Sequence, residues 1–198
     1  MTEHGNKISV GGNVAGNFVV GNHNNVAPSS VPRAAEKAAV LRLFVSYRID
    51  DSVYATAAIA DRLGQVFGPE NVFRDRDALA LGAIYPTKIR RALERCDTVL
   101  AVVGPSWLEI RDSSGQRCLD NPQDWVRTEL RMAFERDIPV VPVLLDDTPL
   151  PDPRRLPADI TALSLSTYWQ VRHQSFESDI RGLIDGLSHG GNPPRQGQ

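Results

Sequence analysis

Cysteine is scarce in these 198 residues: only Cys96 and Cys118 occur, with no CxxC and no paired spacing. That excludes a disulfide framework and points to a reducing compartment. The four histidines, His4, His23, His173 and His189, are scattered and make no metal-ligand spacing. Charge of one sign is lacking too. The net charge of -2 leaves no electrostatic footprint for nucleic acid or an anionic membrane surface. No apolar run approaches the ~20 residues needed to span a bilayer. No basic flank followed by an apolar stretch marks the N-terminus as a secretory leader. The expectation is a cytoplasmic protein with no nucleic-acid or membrane partner. Neither GxGxxG nor GxxxxGK[ST] is present, so a standard dinucleotide or nucleoside-triphosphate cradle is excluded. What remains is a 41% apolar fraction, enough to bury the core of one domain with a short appendage.

The appendage is at the front. Residues 1–26 hold six Asn and five Gly, with Glu3 and Lys7 as the only charged side chains. Val10-Gly11 recurs as Val20-Gly21, and Gly-Asn pairs repeat between. Such Asn/Gly text with interleaved β-branched residues is low in complexity and prone to stack as cross-β. Residues 27–39 read as a Pro/Ser-bearing linker, residues 40–188 as the folded domain, and residues 189–198, rich in Gly, Pro and Gln, as a disordered tail.

Within the domain, strands and helices alternate. Residues 41–47 read as a buried strand. Asp50, Asp51 and Ser52 then offer caps to a helix carrying Val53, Ala57, Ala60, Leu63 and Phe67 at helical spacing. A short strand at 71–73, a polar loop at 74–82 and a helix over 84–96 follow. Residues 98–103 (TVLAVV) are apolar throughout, the mark of a strand covered on both faces. A short helix at 106–110 and a long loop at 111–123 lead to a helix starting at Asp124. The next strand is 138–145, a weak fifth strand is placed at 162–165, and an amphipathic helix over 175–187 closes the domain. This alternation predicts an α/β, flavodoxin-like five-stranded parallel sheet in the order 2-1-3-4-5, with helices on both faces. Ligands on such sheets bind beyond the carboxyl ends of the strands, at the switch between strands 1 and 3. That rim gathers Ser46-Tyr47-Arg48, the 75–82 loop, Gly104-Pro105-Ser106 and the mouth of the helix from Asp124.

That helix carries an anomaly. Trp125, Val126, Glu129, Leu130, Ala133 and Phe134 fall on one stripe, five of them apolar and the sixth a carboxylate one turn past a tryptophan. A buried carboxylate must be paired, protonated or turned to a polar cleft. The plainer reading of Glu129 is a solvated acid favoured by the helix dipole. The plainer reading of Trp125 is core packing. Tyr47 and Arg48 read equally as a strand end paired with Asp50 or Asp51, Asp75 and Asp77 as turn residues, and Ser106 as a cap.

Several stretches resemble one family. Phe44-Val45-Ser46-Tyr47 resembles the first box of Toll/interleukin-1 receptor (TIR) domains, and Val72-Phe73-Arg74-Asp75 through Leu81-Gly82 the second box and its loop. Ile138 to Val143 (IPVVPV) is similar to the fourth-strand segment, and Asp124-Trp125-Val126-Arg127-Thr128-Glu129-Leu130 to the signature of TIR domains that cleave NAD. The resemblance implies a TIR fold and an NAD+ glycohydrolase activity, with NAD+ as substrate and no cofactor. It makes Glu129 the catalytic glutamate, and Tyr47, Arg48, Asp75, Asp77, Ser106 and Trp125 substrate-binding. Ala80 stands where the hydrolase relatives often carry a second carboxylate, which leaves hydrolysis and cyclisation both open. The resemblance further implies homo-oligomers through the TIR domain. The alternative is a non-catalytic TIR scaffold acting by homotypic assembly; a deoxyribosyltransferase-like enzyme and a phospho-acceptor receiver domain fit less of the chain. Residues 18–26 (FVVGNHNNV) resemble an amyloid-forming interaction motif, with Val19 where Gln is usual. They imply a protein partner carrying a similar segment.

Overall fold

The structure, a computed structural model, describes residues 41–74 and 85–189. The N-terminal motif, the linker, Asp75, Asp77, Ala80 and residues 190–198 of the tail lie outside the described residues. Five strands form one sheet in the order β2-β1-β3-β4-β5: β1 Leu43–Ser46, β2 Val72–Arg74, β3 Thr98–Val103, β4 Val140–Leu145 and β5 Trp169–Val171. Every pairing between them is parallel. The helices are α1 Ile49–Phe67, α2 Tyr85–Leu93, α3 Trp125–Glu135 and α4 Phe176–Ser188. The expected α/β fold and strand order are observed.

Strand alternation sorts the core into two clusters. Phe44, Val99, Ala101, Val103 and Leu144 pack with α2 and α3, while Leu43, Val45, Leu100, Val102, Val143 and Leu145 pack with α1 and α4. β3 is buried along its whole length, as a strand apolar from Val99 onward and lying between two helical layers must be. Helix α3 buries Val126, Glu129, Leu130 and Ala133, and α1 buries Thr56, Ile59, Ala60 and Leu63. Both sets follow the i, i+3, i+4, i+7 pattern of a helix with one face on a sheet. Each large apolar side chain so covered contributes roughly 1.5–3 kcal/mol.

Three local expectations are corrected. The fifth strand is not at 162–165. That segment lies in a 3-10 helix, Ala158–Leu165, which buries Ile160 and Leu163 three residues apart, the repeat of a 3-10 helix. The strand comes later, where Trp169 and Val171 are buried and Gln170 is not, and it pairs with β4. Residues 106–110 form a single turn, closed by the Glu109 and Ile110 amides donating to the Ser106 carbonyl at 2.8 and 3.1 Å. Finally, α1 begins at Ile49, before its expected caps, and is broken at Ser52 (φ −140°, ψ 18°). Asp51 is thereby free to cap another part of the chain.

Candidate active site

The site is built where β1 and β3 end and α3 begins. Glu129 is completely buried, and the Ser46 hydroxyl donates to its Oε2 at 2.6 Å. Ser46 is the last residue of β1 and shares the face of Phe44, which packs on the α3 side. Its neighbour across the ladder is Ala101 of β3. Two small residues side by side on central strands leave the space beneath α3 into which a long carboxylate side chain fits.

Arg48 follows at the end of the same strand. Its guanidinium forms a fork with the Asp124 carboxylate at 2.8 and 3.0 Å, with 7% of its side chain exposed. Its Cζ lies 5.7 Å from the ring centre of Trp107, itself buried. Asp124 is also the N-cap of α3, accepting from the Arg127 amide at 2.9 Å. One carboxylate thus starts the helix and ties it to β1. Arg127 continues the brace, donating to both Asp159 oxygens at 3.1 Å and to the carbonyls of Leu119 and Asp120.

Asp51 completes the rim. Its oxygens accept the Gly104 and Ser106 amides, each at 2.8 Å, and so hold the turn after β3 against the start of α1. A side chain at position 104 would drive a Cβ to 2.5 Å from the Asp51 carboxylate, so only glycine allows this approach. Burial pushes the Asp51 carboxyl above its ordinary value, against the opposing pull of the two amides and of Arg48.

The sequence-derived residues are therefore distributed unevenly. Glu129, Arg48 and Ser106 gather at one rim, and Trp125, 41% exposed, stands one turn before Glu129 instead of joining the core. Ser106 is exposed, its amide held by Asp51. Tyr47 is not brought to Glu129: it is buried in the opposite cluster, with Ile59, Leu145 and Val171. Asp75 and Asp77 lie outside the described residues. Asp124 and Asp51 were missed as site residues, and Ser46 was placed at the rim without a role of its own. Two-residue alternation from Phe44 would have pointed to Ser46, and Asp124 reads as an N-cap. Nothing local signals the reach of Asp51. The cysteines stand apart from this chemistry; burial pushes the Cys96 thiol up to about 11, away from a nucleophile at neutral pH.

The model of the TIR domain family matches residues 43–183. Among solved structures, a metazoan TIR-STING receptor from C. gigas in complex with 2',3'-cGAMP is 18% identical with a TM-score of 0.48. The match covers 72% of this chain and 39% of that one, so the chain spans well under half of that receptor's length. The TIR domains of the activated Roq1 resistosome, which recognises the pathogen effector XopQ, are 15% identical with a TM-score of 0.41, over 75% of this chain and 84% of that one. No curated protein matches significantly.

Proposed function

The chain belongs to the TIR domain family, and from that premise we propose that it is an NAD+ nucleosidase, switched on by self-association in a signalling or immune-defence response. The observation that carries this reading is the buried carboxylate of Glu129. It sits at the switch between β1 and β3, one turn after a half-exposed tryptophan. Cleavage of the nicotinamide–ribose bond sends the bonding pair to the pyridinium nitrogen. Nicotinamide then leaves neutral, no general acid is required, and positive charge develops on the ribose. A fixed carboxylate beside the sugar stabilises that cation, as in glycoside cleavage. Water attacking the anomeric carbon and losing its proton gives ADP-ribose; attack by an adenine nitrogen gives a cyclic product.

In this assignment Trp125 supplies an aromatic wall, Ser106 a hydroxyl at the rim, and Asp75 and Asp77 polar contacts from the loop after β2. Arg48 serves mainly through its fork to Asp124, and Tyr47, buried on the other face, supports the end of β1. Glu129 is wholly covered in this structure, so the ribose reaches it only when the rim opens. Stacking of one domain on the next supplies the opening, and residues 1–26 raise the local concentration when a partner with a similar segment templates them.

The complete burial of Glu129 also favours a second reading, a non-catalytic scaffold in which this acid only joins α3 to β1. One experiment separates the two. NAD consumption, with nicotinamide and cyclic product resolved, is followed over a range of protein concentrations for the full chain, for Glu129→Ala and for a chain lacking residues 1–26. The nucleosidase reading expects specific activity that rises with concentration, falls on deletion, and vanishes in a Glu129→Ala chain of unchanged far-UV dichroism. Turnover retained by that variant excludes Glu129 as the catalytic group. No turnover by the full chain at any concentration leaves the scaffold.

A further inference from the structure

The Ser46–Glu129 pair has three properties that packing alone does not require. Both side chains are sealed from solvent, at 1% and 0% exposure. The donor is the one hydroxyl of a strand that is otherwise Leu, Phe and Val. The link is also long in sequence, 83 residues, and short in space, 2.6 Å. An apolar residue at position 46 would suit the face it shares with Phe44. It would also leave the Glu129 carboxylate without this donor in a low-dielectric setting, where a charged group is most costly.

We propose that Ser46 is a positioning residue for Glu129, its hydroxyl fixing the plane and depth of the carboxylate against the end of β1 so that it faces the ribose as positive charge develops there. This rests on the nucleosidase reading. Ser46 touches no substrate in this scheme; it acts through Glu129. A carboxylate held in this way needs no reorganisation at the moment of bond cleavage, the condition under which electrostatic stabilisation is most effective. Without the hydroxyl, Glu129 loses the contact that seats its Oε2 against the end of β1. The loss then falls on the chemical step and not on substrate binding.

The test uses two isosteres in the full chain, Ser46→Thr and Ser46→Val. Both are β-branched, suit a strand and occupy nearly the same volume, so their difference isolates the hydroxyl. Expected are a kcat for the Val variant about 10- to 100-fold below that of the Thr variant, the range of a hydrogen bond to a charged group, and KM values within about twofold of each other. Ser46→Ala, smaller and also lacking the hydroxyl, should follow the Val variant and stands in for it if the larger side chain prevents folding. Equal kcat in the hydroxyl-bearing and hydroxyl-free variants, or a loss confined to thermal stability or to KM, overturns the proposal while Glu129→Ala remains inactive and the nucleosidase reading stands. A full chain without NAD turnover overturns both.

Discussion

Two buried carboxylates, one on each side of the sheet, show how differently the same group can be used. Asp179, in the first turn of α4, accepts from the Arg172 amide at 2.9 Å and from the Ser175 hydroxyl at 2.8 Å, with the Arg172 guanidinium at 3.5 Å. Its donors lie four and seven residues away, at the start of its own helix, where the dipole also favours negative charge. The Asp179 carbonyl accepts the Trp169 indole N–H at 2.7 Å, so the same residue pins β5 to α4. Glu129, on the opposite face, takes its hydroxyl donor from the end of β1, 83 residues away. One acid completes a local turn. The other is held by the meeting of elements and is covered by them. On the nucleosidase reading, the locally satisfied carboxylate serves stability and the one fixed by the assembled fold at a sheet switch point serves the chemistry.

This contrast can be broken or sharpened by substitution. The largest effect is expected for Glu129→Gln, which keeps the shape and an acceptor for Ser46 but removes the charge. NAD turnover should fall at least ~100-fold, the order seen when a transition-state charge partner is lost, with far-UV dichroism unchanged. Turnover within a few-fold of the parent chain would put the two acids in one class.

Asp124→Ala comes next. It strips α3 of its cap and leaves the Arg48 guanidinium buried without its partner. Together these should cost about 3–5 kcal/mol in urea unfolding, and activity should fall with the misplacement of α3. A small stability change would mean that Arg48 finds solvent or another acceptor.

The smallest effect is expected for Asp179→Asn, which weakens the local turn and should cost about 1–2 kcal/mol. NAD turnover per folded molecule should stay as in the parent chain. Loss of turnover at full stability would show that the α1 and α4 face takes part in the reaction after all.

Much of the architecture was legible because its cause is repetitive. Periodicity marks strands 1 to 4 and the four α-helices among the described residues, and short connections between parallel strands allow few orders. The fifth strand was misplaced because residues 162–165 and 169–171 are both short apolar stretches. Which one pairs with β4 depends on the fit of Trp169 beside Gly182, where an added Cβ would come within 2.4 Å of the indole ring. The cap assignment at Asp50 to Ser52 failed for a related reason. An acid at a helix start is satisfied by whichever amides the fold brings near, and for Asp51 these belong to residues 104 and 106.

The sequence by itself determined the alternation of elements, the sheet order, and a carboxylate on the inner stripe of α3. Each follows from side-chain spacing along one segment, and hydrophobic burial acts on every segment in the same way. Only the tertiary structure decided that Glu129 meets Ser46, that Arg48 is spent on Asp124, and that Tyr47 turns to the far face. Hydrogen bonds and ion pairs act over about 3 Å, and no pattern within a segment states which distant donor will stand at that distance once the layers close.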